Sequence, residues 1–213
     1  MAKRKSIKKD KDKNKKEVLW IVYFMIAMLA ILIIFNLAFR SLNKFEYSGL
    51  AFTKEKYGQI PVYHYYYYFD DAAGQQYKYN LYLRNDPRKN EIPVYGKISF
   101  LRGNTVYLSI NGTGIVGCNN SMREVASLSS FLNSNLLLVK AGTPDKEEAE
   151  MNNLTHVTCE TKPANTVILI QEGNETSIAQ KENCYTINIA RCELLDAVEK
   201  FEVRSILDAK ARG

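Results

Sequence analysis

The 213 residues hold one tryptophan, two histidines and four cysteines. The two histidines, His64 and His156, stand far apart, and neither has a metal-ligating partner at local spacing, which excludes a sequence-local zinc site. Neither can be placed beside an activated serine or cysteine, so no nucleophilic triad is marked. No two of Cys118, Cys159, Cys184 and Cys192 lie at Cys-x-x-Cys spacing. No metal and no cofactor are expected. Charge of either sign is missing from Val18 to Phe39, which excludes a solvent-facing helix there.

The charge that is present is lopsided. Nine of the 29 basic residues and three of the 23 acidic ones lie in Met1–Glu17, which gives that tail the whole formal charge of +6. The remainder carries twenty of each, so the main domain lacks the basic footprint of a nucleic-acid binder, and no nucleic-acid partner is expected. The uncharged run Val18–Phe39 (VLWIVYFMIAMLAILIIFNLAF) is long enough, at ~1.5 Å per residue, to cross a hydrocarbon core of ~30 Å. It is longer than the ~7–15 residues of a signal-peptide core, and Asn36-Leu37-Ala38-Phe39 is a poor cleavage site, so an uncleaved anchor is expected. Only Arg40, Lys44 and Lys54 follow within fifteen residues, against nine basic residues before the run. That asymmetry puts the N-terminus in the cytoplasm and the C-terminal domain outside, with the bilayer as first partner. Four cysteines after the anchor then suggest two disulfides. Four Asn-x-Ser/Thr sequons, at Asn111, Asn119, Asn153 and Asn174, are glycosylation candidates.

Five segments follow from the pattern: a basic cytoplasmic tail (1–17), a transmembrane helix (18–39), a juxtamembrane connector (40–59), an antiparallel β part (60–110) and a mixed α/β, disulfide-bearing part (111–213). In the β part, Ile60–Phe69 (IPVYHYYYYF) and Tyr77–Arg84 read as a hairpin, followed by strands Ile92–Leu101 and Thr105–Ile110, a four-strand meander. In the last part, Ser121–Asn133 has helical spacing and a Ser121/Glu124 capping-box start. Thr143–Asn152 reads as a helix capped by Thr143, with Pro144 at its first position. Thr155–Glu160, Thr166–Glu172, Thr176–Gln180 and Cys184–Ile189 read as strands, and Cys192–Arg212 as mostly helix. The fold class is α+β.

Period two places Tyr63, Tyr65 and Tyr67 on one face of their strand, with His64, Tyr66 and Tyr68 on the other. Cross-strand aromatic pairing accounts for such a cluster. The alternative is a binding face, Tyr63/Tyr65/Tyr67, for a glycan or an envelope protein. Arg84, Asp86 and Arg88 form either a turn or a charged constellation. Three disulfide connectivities are open. Cys184–Cys192 conflicts with an extended Cys184–Ile189, because six residues at ~3.3 Å each overshoot the ~7 Å that a bridge allows between Cα atoms.

From Thr105 onward the order strand, helix, strand, helix, strands, helix resembles a thioredoxin-like fold, with Thr166–Ile178 (TVILIQEGNETSI) in place of that family's late hairpin and Cys192 onward as its last helix. Cys118 precedes the helix at Ser121, where a helix N-terminus lowers a thiol's pKa, but Ser121 stands where a second cysteine would be. Leu81–Pro93 (LYLRNDPRKNEIP), with the anchor and the four cysteines, resembles uncharacterised archaeal membrane-anchored proteins, which implies an archaeal cell surface and no particular activity. The expected role is structural, assembly or binding work at the cell envelope without a catalytic set. The alternative is extracytoplasmic thiol–disulfide exchange through Cys118.

Overall fold

A computed structural model describes residues 19–37, 43–100, 103–112, 115, 117–119 and 121–212. The expected basic tail lies outside the described residues. The chain divides into two compact units, Met1–Phe45 and Glu46–Gly213.

The first unit carries helix α1 (Leu19–Leu37), long and apolar enough to cross a membrane. Its large side chains, Trp20, Phe24, Ile31 and Phe35 among them, are all exposed, so no protein core explains their apolar character. The helix is compatible with a single-pass anchor.

The second unit is α+β and holds two sheets. The first sheet is antiparallel, with the order β1 (Lys44–Tyr47), β2 (Leu50–Tyr57), β3 (Ile60–Asp70) and β4 (Gln76–Leu83). This corrects the expected connector at 40–59, most of which is strand. Two-residue turns close its first two hairpins, at Ser48-Gly49 and Gly58-Gln59, with Gly49 and Gly58 at φ +82° and +64°, a region open to glycine and strained for most other residues. The β2 pattern escapes notice because only Leu50 and Phe52 are buried, and Lys54, Glu55 and Lys56 disguise the rest.

The second sheet has seven strands in the order β5 (Val94–Tyr95), β10 (Ser177–Lys181), β11 (Cys184–Ile189), β9 (Thr166–Glu172), β6 (Thr105–Ile110), β7 (Leu138–Thr143) and β8 (Thr155–His156). Strands β8, β7, β6, β9 and β11 are parallel; β10 runs antiparallel to β11, and β5 lies parallel to β10. The meander expected over 60–110 is therefore wrong in its second half. Thr105–Ile110 is a central parallel strand, with Val106, Leu108 and Ser109 all buried, as parallel strands covered on both faces require. Ile92–Leu101 contributes only the two-residue β5. Thr166–Ile178 is not a hairpin either: β11 inserts between β9 and β10, so the strand pair that carried the thioredoxin resemblance is split.

Helices α2 (Ser121–Ser134) and α4 (Leu194–Lys210) lie between the two sheets. On one side Phe201 of α4 packs edge-on against Tyr185 of β11, ring centroids 5.8 Å apart. On the other, Phe131 of α2 meets Tyr79 of β4 at 5.6 Å, and Glu199 of α4 accepts the backbone N–H of Arg84 at 2.5 Å and of Asn85 at 3.1 Å. Helix α3 (Lys146–Met151) follows β7 and is capped by Asp145, whose carboxylate accepts the N–H of Glu148. Thr143 instead ends β7 and donates its hydroxyl to Glu148 at 2.7 Å, so the expected Thr143 cap moves two residues on. The strand expected over Thr155–Glu160 stops at His156.

Two disulfides tie this unit, Cys118–Cys192 and Cys159–Cys184, with Cα separations of 5.4 and 5.5 Å. Cys118 and Cys192 follow β6 and β11, so their bridge closes the carboxyl ends of the parallel strands. Cys159 precedes β9 and Cys184 begins β11, so the other bridge closes the amino ends. The sulfurs of Cys184 and Cys159 pack with Val157, Val167 and Tyr107 in a small apolar cluster.

Candidate binding site between the aromatic sheet and the helices

Alternation along β3 sends Tyr65, Tyr67 and Phe69 inward toward the helices. The rings run as a continuous file: Phe52–Tyr65 5.4 Å, Tyr65–Tyr67 6.0 Å, Tyr67–Phe69 5.9 Å, then across to Tyr79 at 5.6 Å and on to Phe131. Centroid spacings of this kind are those at which aromatic pairs attract. The file does not fill the space between sheet and helices. A cleft of about 440 Å³ remains, walled by Tyr65, Tyr67 and Phe69 on the sheet side, Phe131 and Leu137 from α2 and its exit, and Ile206 from α4. Phe100, Asn135 and Ser205 complete the walls, and Tyr68, Lys210 and Arg212 also border it. A volume of this size, mostly apolar with few polar groups, is the form of small-molecule sites.

Three polar side chains of the cleft are already hydrogen-bonded. The Tyr67 hydroxyl donates to Asn135 Oδ1, and Asn135 Nδ2 donates to the Phe131 carbonyl at 2.8 Å. Ser205 donates to the Glu202 carbonyl at 2.8 Å. Burial pushes the Tyr67 and Tyr79 phenols well above the usual tyrosine range, so both stay neutral. Behind this wall lies a group of buried acids. Glu124 of α2 pairs with the Arg84 guanidinium and with Arg123 at 3.2 Å. Glu199 is pushed up to about 7, chiefly by burial. Glu202 is 3% exposed, its Oε1 has no hydrogen-bond partner among the described residues, and burial, then Glu199 and Glu124, push it up to about 8.

The structure separates the three tyrosines expected to form one binding face. Tyr65 and Tyr67 line the cleft. Tyr63 does not; it lies beside a different, polar groove with Arg84, Asp86 and Asp196, and Lys54 sits 5.9 Å from its ring. On the opposite face of the same sheet Tyr66, Tyr68 and Tyr82 are more than half exposed. His64 stacks on Tyr82 at 4.5 Å and is held between Glu55 at 3.0 Å and Asn80 at 3.1 Å. His156 meets the Pro144 carbonyl at 3.1 Å. Among the described residues no group of three or more His, Cys, Asp or Glu is placed to hold a metal.

Arg84, Asp86 and Arg88 do not converge on one point. Arg88 clamps Asp86 through Nε and Nη2 at 2.9 and 2.6 Å and holds its carboxyl below the usual range, while Arg84 turns to Glu124. Cys118 is buried and bonded to Cys192, which is itself exposed. Of the sequons, Asn119, Asn153 and Asn174 are exposed, whereas Asn111 is half-buried with its N–H bonded to the Ile170 carbonyl.

The cleft residues from the helices, Phe131, Asn135, Ile206 and Lys210, were not legible as site residues, because their chain distance from β3 exceeds sixty residues and no local pattern marks it. A second signal passed unread: Gly112-Thr113-Gly114-Ile115-Val116-Gly117 has G-x-G-x-x-G spacing between a strand and a helix, where the strand order reverses from β7 to β9 about β6. In a dinucleotide-binding protein such a loop offers its N–H groups to phosphate. Here the N–H groups of Ile115, Cys118 and Ser121 bond back to carbonyls within the loop at 3.3, 3.0 and 3.3 Å, and Cys118 is tied to Cys192. Comparison with known proteins finds no matching family model, no similar curated protein and no similar solved structure.

Proposed function

We propose that this chain is a membrane-anchored binding module, its C-terminal unit outside the cytoplasm and its ligand held in the cleft between the aromatic sheet and helices α2 and α4. The observation that carries the reading is the cleft itself: about 440 Å³, open to solvent on one side and lined by Tyr65, Tyr67, Phe69, Phe100 and Phe131. A concave, largely apolar surface of that size, open to solvent and edged by a few polar groups, is the form that small-molecule sites take.

Placement outside the cytoplasm draws support from the two disulfides and from the excess of basic residues before α1. An archaeal envelope is the setting that the Leu81–Pro93 resemblance suggests, and Asn119, Asn153 and Asn174 would carry glycan there. Thiol–disulfide exchange through Cys118 is the weaker reading, since a nucleophilic sulfur must be free and reachable and Cys118 is bonded and buried.

Native mass spectrometry of the full chain, released from purified membranes, tests the binding role. A retained small-molecule adduct on the wild type, lost in Phe131→Asp, is the expected result. A bare wild-type mass under conditions that keep both disulfides intact would count against it.

A further inference from the structure

The cleft has a chemical polarity that narrows its ligand. Inside, the amide of Asn135 and the hydroxyls of Tyr67 and Ser205 donate to one another or to carbonyls, so the walls present carbon. Unspent donors gather at the border. Tyr65, which lines the cleft, has no hydrogen-bond partner for its hydroxyl among the described residues. Lys210 uses one of its three N–H groups on the Gly49 carbonyl at 2.7 Å, and Arg212 one of its five on Ser99 Oγ. Neither cation has a carboxylate partner among the described residues; the nearest acid on the helix, Asp208, is already taken by Arg204 at 3.0 Å and by the N–H of Ile98 at 2.8 Å. Two uncompensated cations beside an apolar cleft complement a molecule that is apolar along its length and anionic at one end.

We propose that the cleft binds a single-chain anionic amphiphile, its chain between Tyr67, Phe131 and Ile206 and its carboxylate at Lys210 and Arg212. The inference rests on the binding role proposed above and adds the ligand class. A single chain is the match for a cleft near the lower end of the ~300–1,000 Å³ typical of ligand pockets; a two-chain lipid is larger.

The test uses the full-length protein in polymer-bounded native membrane discs and three diazirine probes: a C16 fatty acid, the C16 alcohol of identical chain, and a two-chain anionic phospholipid. Crosslinked peptides are mapped by mass. The acid should label the segments around Phe131–Leu137 and Ser205–Lys210 about tenfold more than the alcohol, as one charge-assisted contact predicts. Lys210→Gln/Arg212→Gln, which keeps a donor toward Gly49 and Ser99 and removes both charges, should erase that preference while leaving alcohol labelling unchanged. Equal labelling by acid and alcohol overturns the anionic head and leaves the binding role standing. Labelling by the phospholipid alone overturns the single chain. Labelling of α1 by all three probes with none at the cleft overturns both the inference and the role on which it rests.

Discussion

Strand β3 of the first sheet carries five tyrosines and a histidine, half of them facing solvent; strand β9 of the second runs Val167, Ile168, Leu169, Ile170, each buried. The two strands lie in the same unit and spend their side chains differently. β9 is parallel and paired on both edges, by β6 and β11, so both of its faces must be apolar and it reads as a continuous run. β3 is antiparallel, packs on α2 and α4 with one face only, and reads as alternation. The second sheet with its helices supplies the core. The first is a layer laid over that core, with the cleft between its inward tyrosines and the helices.

That contrast can be broken most directly in the core. Phe201→Ala removes a fully buried ring that packs on Tyr185 and Phe100 under the second sheet, and should cost about 3–5 kcal/mol in a denaturant titration. If the same loss came from a tyrosine of the first sheet's outer face, the division into foundation and overlay would be wrong.

The disulfides sharpen it next. Cys118–Cys192 spans 74 residues and Cys159–Cys184 spans 25. Loop-closure entropy then predicts losses of roughly 4.5 and 3.5 kcal/mol for the paired Cys→Ser variants, with the longer loop the costlier. The check is the denaturant midpoint of each pair. Alkylation of the native protein should leave all four cysteines unmodified until reductant is added.

A third test probes the seam between the layers. Glu202 and Glu199 are raised from an ordinary 4.5 to about 8 and about 7, so the folded chain holds protons that the unfolded chain has released. With more protons bound in the folded state, stability falls as pH rises from about 4.5 to 8 and is lowest above that window. Thermal melts at pH 5.5 and 8.5 should show the decline. Glu202→Gln should flatten it and stabilise the protein at pH 8.5, by on the order of 1–3 kcal/mol.

The smallest effect is expected on the outer face. Tyr66→Ala, which gives up a Lys78 cation–π contact at 4.4 Å and an exposed ring, should cost no more than about 1 kcal/mol and leave ligand adducts unchanged. Loss of adducts in this variant would move the binding site from the cleft to the exposed tyrosines.

Some of this was legible in the residues and some was not. Hairpin β3–β4, the runs at Thr166–Glu172 and Cys184–Ile189, and helices α2 and α4 carry periods that local reading detects. The two strands hidden in 40–59 do not, because β2 buries only Leu50 and Phe52 before its charged half. Thr105–Ile110 alternates like a meander strand, yet it is parallel and central; which neighbours it takes depends on β7 and β9, whose partner choice no local pattern encodes. For the site, alternation alone put Tyr65 and Tyr67 on one face. It could not say that Tyr63, two residues earlier, borders a separate polar groove with Arg84, Asp86 and Asp196.

The sequence by itself determined the uncharged helix-length run, the α+β class, the face parity of the tyrosines and the capacity for two disulfides, because each of these depends on neighbours a few residues apart. Only the tertiary structure decided the cysteine pairing, the insertion of β11 between β9 and β10, the burial of Glu202 and the meeting of Tyr67 with Asn135 and Phe131. Those outcomes depend on contacts between segments separated by tens of residues, where the free energy comes from burial shared across elements and not from any one of them.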